Sequence, residues 1–153
     1  MKNSPCFAVD KMLGKLAKWL RVLGYDTFYK NKISNATLLS IANKDKRILI
    51  TRNHTFRKRR HPIKIIFIKK DNLKDQLLEL NNEVRLSTDK MFTRCPICNR
   101  KTTEIEKEYV KDIVPEYVYQ NQDRFFQCLL CGKVYWVGTH LENAKKFIEN
   151  LNL

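Results

Sequence analysis

The sequence predicts an α/β fold: a mostly parallel sheet flanked by helices, then a small β-rich segment and a C-terminal helix. Three observations carry this expectation. Short apolar runs alternate with helical apolar periodicity through the first half of the chain, four of the five cysteines fall in two spaced pairs beyond it, and the excess of positive charge is confined to the front. The chain of 153 residues suits one ordinary domain, or a small domain plus a metal-held mini-domain. An apolar fraction of 43% is enough to build a core and excludes wholesale disorder.

Taken in order, Cys6-Phe7-Ala8-Val9 reads as a buried strand ending at Asp10. Leu13, Leu16, Ala17, Leu20 and Leu23 then share one helical face, with Gly24 as the stop. Tyr25 to Tyr29 is a second short strand. Residues 35–44 form a helix capped by Ser34 or Asn35, with Leu38, Leu39 and Ala42 inward. Arg47 to Thr51 and Lys64 to Ile68 are further strands, and Asp71 caps an amphipathic helix through Leu80. Strand and helix alternating at this spacing imply right-handed crossovers and a parallel sheet. Such sheets bind ligands at the carboxyl ends of their strands, near the point where strand order reverses. Asp10 and the Thr51-Arg52-Asn53 segment both fall at strand ends and are expected to approach each other.

From Leu86 onward the chain is aromatic-rich and cysteine-paired. It holds a β-type run at Val134 to Val137 and a final helix, Leu141 to Leu151, after Thr139 as N-cap. Two domains are expected, 1–85 and 86–153. With only 4 Gly and 4 Pro there is no long flexible linker between them, so they are expected to pack together.

Cys95-Pro96-Ile97-Cys98 and Cys128-Leu129-Leu130-Cys131 have the spacing of zinc knuckles. A two-residue gap lets both thiolates of a pair reach one tetrahedral ion, and Asn99 and Gly132 follow where the turn needs a residue tolerant of left-handed backbone. Four protein ligands leave no open position, so a Zn²⁺ ion there is structural, with an iron–sulfur cluster as the minor alternative. Cys6, in an apolar strand, is expected to be an inert core residue.

Residues 1–70 hold 18 Lys and Arg against 3 acids, a surplus of +15, while residues 71–153 hold 12 against 13. A charge excess kept for solubility would be spread out, whereas concentration points to a polyanion partner. Lys11, Lys15 and Lys18 recur at i, i+4 and i+7 opposite the leucine face of the first helix, and Arg21 follows. Arg57-Lys58-Arg59-Arg60 comes shortly after Arg52 and Asn53. A solvated helix face and a charged loop are the plain alternative. Arg suits phosphate because it engages it bidentately and stacks on bases. No apolar run approaches a membrane span and the N-terminus has no signal-like apolar stretch, so a cytoplasmic protein with no membrane partner is expected. The aromatics Tyr109, Tyr117, Tyr119, Phe125, Phe126, Tyr135 and Trp136 are expected to pack the ribbon's small core, and Trp19 to be partly buried.

The stretch from Phe7-Ala8-Val9-Asp10 through Trp19-Leu20-Arg21-Val22-Leu23-Gly24-Tyr25-Asp26-Thr27 resembles the opening of the PIN-like Mut-seven C-terminal RNase domain family. Ile48-Leu49-Ile50-Thr51-Arg52 is similar to that family's third strand. Both knuckles match, as do Val114-Pro115 and the run Cys131-Gly132-Lys133-Val134-Tyr135-Trp136-Val137-Gly138-Thr139-His140. The resemblance covers nearly the whole chain. It implies a PIN-like nuclease fold joined to a zinc ribbon, with RNA, ribosomal or otherwise structured, as partner.

Such nucleases hold Mg²⁺ or Mn²⁺ with carboxylates at strand ends, and the ions activate water against the scissile phosphate. The family pattern places acids at Asp10 and Asp26, both present. It also usually places them at the start of the second helix, here Ser34-Asn35-Ala36-Thr37, and after Thr-Arg, here Asn53. Asp10, Asp26 and Asn53 are thus the degenerate catalytic set that the resemblance implies. Asn offers a carbonyl oxygen but no charge and cannot serve as a general base. The expectation is an RNA-binding protein impaired in catalysis, with an active Mg²⁺- or Mn²⁺-dependent ribonuclease as the alternative. A protein-interaction module of the toxin type would explain the fold but not the charge.

Overall fold

The structure, a computed structural model, describes residues 4–153. Its main sheet has four parallel strands in the order β2-β1-β3-β4, with β1 Phe7–Val9, β2 Thr27–Tyr29, β3 Ile48–Thr51 and β4 Ile65–Phe67. The chain leaves β1 in one direction to make β2 and in the other to make β3 and β4. The order therefore reverses between β1 and β3, and their carboxyl ends flank the position where such sheets bind ligands.

Both faces of this sheet are covered, as an all-parallel sheet requires. Alternation along the strands divides the core. Phe7, Val9, Ile50 and Ile66 turn to one face, where they meet Leu16 and Leu20 of α1 (Gly14–Val22), Leu77 and Leu80 of α3 (Leu73–Val84), and Ile148 of α5 (Thr139–Glu149). Ala8 and Leu49 turn to the other, against Leu38 and Ala42 of α2 (Asn35–Lys44) and Phe56. The final helix is thus built into the front of the molecule, with Trp19 and Phe147 in contact at 4.7 Å between ring centroids.

The small sheet is antiparallel in the order β5-β6-β7, with β5 Thr103–Ile105, β6 Phe125–Gln127 and β7 Val134–Trp136. Its own core among the described residues is four buried side chains, Val110, Val114, Phe125 and Val134. Tyr109 and Tyr117, expected to pack there, are exposed instead; they lie on the 3₁₀ turn Lys107–Val110 and the six-residue α4 (Glu116–Asn121), elements too short to wrap that core. Cys6, expected in the core, is only half-buried.

Several element boundaries shift by a few residues from expectation, three of them at helix starts. Lys11–Leu13 is a 3₁₀ turn capped by the Asp10 side chain, so α1 begins one turn late. Asn72 rather than Asp71 caps α3, its side chain accepting from Asp75 N, while Asp71 pairs with Arg52 at 2.6 Å. Gly138 rather than Thr139 precedes α5, and no side chain caps that helix. No helix among the described residues is long and apolar enough to cross a membrane.

Candidate functional site

The four knuckle cysteines converge. The sulfurs of Cys95, Cys98, Cys128 and Cys131 all lie within 4.8 Å of one another. A tetrahedral ion with metal–sulfur bonds of about 2.3 Å has sulfur–sulfur edges of about 3.8 Å, and the Cys95–Cys131 separation is 3.8 Å. Each knuckle is built alike. Asn99 N donates to Cys95 O and Gly132 N to Cys128 O, while Cys95 N and Cys128 N donate to Arg100 O and Lys133 O. The turns close through Asn99 at φ 64° and Gly132 at φ 74°, the two residues expected to tolerate left-handed backbone. Burial pushes the Cys95 thiol up, but the Tyr135 hydroxyl 3.0 Å away and the N–H groups of Cys98 and Ile97 bring it down to about 7. The hydrogen bond to Cys131, with burial and the charge of its neighbours, pushes Cys98 up to about 12. Four thiols this close cannot all ionise unaided, and a bound cation is what lets them do so. Donor set, spacing and turn geometry therefore fit a closed, structural metal centre.

The same knuckle is fastened to the amino end of the parallel sheet. Arg21, placed by its helical spacing among the RNA-binding cations, is only 7% exposed. Its Nη1 donates to the carbonyls of Pro96 and Ile97 at 3.0 and 2.8 Å, and its Nε to Thr27 O at 3.0 Å. The last turn of α1 carries it inward, so its guanidinium ties helix, strand and knuckle together and is not available to a phosphate. Asp26 needs the same correction. It precedes β2, whereas Asp10 follows β1, and Val9 pairs with Tyr29 in parallel register. Asp26 therefore sits four residues, about 13 Å of strand, away from the level of Asp10. Its carboxylate accepts from Arg47 at 2.7 Å and from the Asn99 amide at 2.8 Å. Burial raises its pKa, yet these two donors outweigh burial and hold it below the ordinary carboxylate value.

At the carboxyl end, Asp10 and the segment after β3 do approach each other. Asp10 is 2% exposed, and Thr51 Oγ1 donates to its Oδ2 at 2.6 Å. Met12 N donates to its Oδ1, and Asp10 N donates to Ile50 O. Asn53 N donates to Thr51 Oγ1 at 2.9 Å, while the Asn53 side chain accepts from Thr55 N as the cap of a 3₁₀ turn, His54–Lys58. Ser34 likewise spends its hydroxyl capping α2, whose first turn holds no acid. Among the described residues, the four cysteines are the only group of three or more cysteine, histidine or acidic side chains close enough to share an ion. One covered carboxylate with neutral neighbours does not fit a site for Mg²⁺ or Mn²⁺, which are held through several anionic or water oxygens.

The remaining candidate cations divide by occupation. Arg52 is paired with Asp71, and the Arg57 guanidinium lies over the Phe67 ring at 4.4 Å. Lys11, Lys15, Lys18, Lys58, Arg59 and Arg60 are exposed and form no ion pair among the described residues. The approach of the Thr51 segment to Asp10 is expected from the sequence, but the bonds that Thr51 makes to Asp10 and Asn99 to Asp26 are not. Thr51 reads as one more β-branched strand residue and Asn99 as a turn former, and only register shows what lies across from them.

Residues 5–148 match the family model described as Mut7-C RNAse domain. No curated protein matches the chain.

Proposed function

The chain belongs to the Mut7-C RNase domain family, and from that footing we propose that it binds RNA across the carboxyl end of its parallel sheet and is impaired in hydrolysis. The knuckle ion is zinc and structural, and the protein acts in the cytoplasm on structured RNA, such as ribosomal RNA. The observation that carries the impairment is the isolation of Asp10. It keeps the position beside the reversal in strand order, but Asp26 is tied down at the far end of the strands and Asn53 and Ser34 are caps. Hydrolysis would need an ion to activate water, and this chain offers that ion one carboxylate at 2% exposure.

The binding half of the reading rests on charge. Six exposed cations, Lys11, Lys15, Lys18, Lys58, Arg59 and Arg60, have no acidic partner among the described residues, and self-repulsion at this density is relieved by a polyanion. The exposed candidate groups among the described residues are phosphate-binding cations, so recognition is by phosphate and shape. A salt titration of zinc-loaded protein with fluorescent RNA tests it. Six phosphate contacts give a slope of log K against log salt of about −4 to −5. A flat affinity between low and moderate salt would rule out phosphate-driven binding.

A further inference from the structure

A groove of about 570 Å³ runs between α1, the first knuckle and the start of α5. We propose that it receives an unpaired base of single-stranded RNA, so that the ribbon is part of the binding surface and not only a support. The proposal rests on the RNA-binding reading above and adds a second element to it, a stacking site off the sheet's edge.

Three aromatic side chains line the groove: Trp19, Phe92 and Tyr135. Two of these rings are held by side chains that do not line the groove. The Trp19 indole rests on Phe147, and the Tyr135 hydroxyl is fixed on Cys95 Sγ at 3.0 Å. Platforms fixed before binding lose little freedom when a base stacks on them. Around the rings stand Lys15, Lys18 and His140, and among the described residues no acidic side chain lines the groove. Its volume is within the range of small-ligand sites.

Charge decides the occupant. An apolar groove with a cationic rim and no anion suits a ligand with a flat π-face and phosphates on either side. The groove also leads toward the carboxyl end of the sheet, because Lys15 and Lys18, which line it on α1, follow Lys11, exposed on the 3₁₀ turn just before that helix. A 3₁₀ turn followed by a turn of α-helix carries Lys11 to Lys18 over about 12 Å, a distance one strand of RNA crosses in a few nucleotides. A base-paired helix cannot offer an unstacked base to the rings, so the groove selects single-stranded RNA.

Trp19 provides a local reporter. The test uses zinc-loaded Trp136→Phe protein, in which Trp19 is the remaining tryptophan. It is titrated with a short oligoadenylate, an RNA duplex and an oligoglutamate, following both tryptophan emission and anisotropy of the labelled probes. Ala144→Glu puts a carboxylate into the groove while leaving Lys15 and Lys18 in place, and His140→Glu adds one from α5's first turn in exchange for the rim imidazole. Zinc content confirms that each variant is folded.

Oligoadenylate should quench Trp19, and each variant should weaken its binding about tenfold while duplex binding changes by less than about threefold. Oligoadenylate binding that leaves Trp19 emission and both variants unaffected would overturn the groove but leave RNA binding intact. Quenching by oligoglutamate as strong as by oligoadenylate would assign the groove to an acidic peptide and overturn the proposal. Failure of every RNA to bind would overturn the RNA-binding reading itself.

Discussion

The parallel sheet ends in an aspartate at each rim, and the two are used in opposite ways. Asp26, at the amino end, is saturated: Arg47 and Asn99 bond its carboxylate, Arg21 reaches past it to the knuckle carbonyls, and the ribbon is locked to the front domain there. Asp10, at the carboxyl end, pairs with no cation among the described residues. It has only the Thr51 hydroxyl and a backbone N–H, while Lys11, next to it in the chain, and Lys58, Arg59 and Arg60, on the segment after β3, are exposed and without acidic partners among the described residues. One end is tied to the ribbon, and at the other Asp10 is covered but unpaired. Two acids separated by only sixteen positions in the chain thus stand at opposite ends of the sheet, because a β-strand lies between their levels.

The largest effect should come from the metal centre that closes the amino end. Cys95→Ser or Cys128→Ser removes a ligand from a centre whose structural ion contributes on the order of 10–16 kcal/mol in comparable small domains, and the four-residue ribbon core cannot replace it. Elemental analysis should find one zinc per wild-type chain and none in the variants, with loss of near-ultraviolet circular dichroism. Iron with visible absorbance would contradict the zinc assignment.

A smaller effect separates the cations of the two ends. Arg21→Ala leaves three carbonyls without their donor and should cost about 3 kcal/mol, a fall in Tm of roughly 6–12 °C. Lys58→Ala, on the open end, should leave the Tm within about 2 °C and weaken RNA binding instead. Equal thermal effects would erase the distinction.

The mildest test is pH. The Asp26 pKa is lowered in the fold, so its contribution is fully present above its unfolded value of about 4 and is lost as pH falls through the lower folded value. Wild type should therefore lose stability relative to Asp26→Asn as the pH falls below about 4. Parallel acid unfolding curves for the two proteins would show that the Arg47 pairing contributes nothing.

Much of this is legible in the residues. Alternating apolar runs and helical stripes locate the strands and helices because burial on both faces of a parallel sheet leaves a strong periodic trace, as in Ile48-Leu49-Ile50 and Leu16-Ala17-Leu20. The knuckles are legible because tetrahedral thiolate chemistry tolerates few spacings. The ends of the sheet are legible only in part. Asp10 follows its strand and Asp26 precedes its own, and which rim each joins depends on parallel pairing, a long-range fact. Arg21 is misplaced by sequence for a related reason. Helical periodicity puts it on the basic face, but the carbonyls that draw it inward come from Pro96 and Ile97, far along the chain.

The central claim is that the open end binds RNA without holding a hydrolytic ion. Zinc-loaded wild type, Asp10→Ala and Asn53→Asp should be incubated with structured and single-stranded RNA in Mn²⁺, and cleavage followed by gel. The account predicts RNA binding by wild type with no cleavage above the Asp10→Ala background, and any activity confined to Asn53→Asp, where a second carboxylate is restored. Mn²⁺-dependent cleavage by wild type that Asp10→Ala abolishes would contradict it.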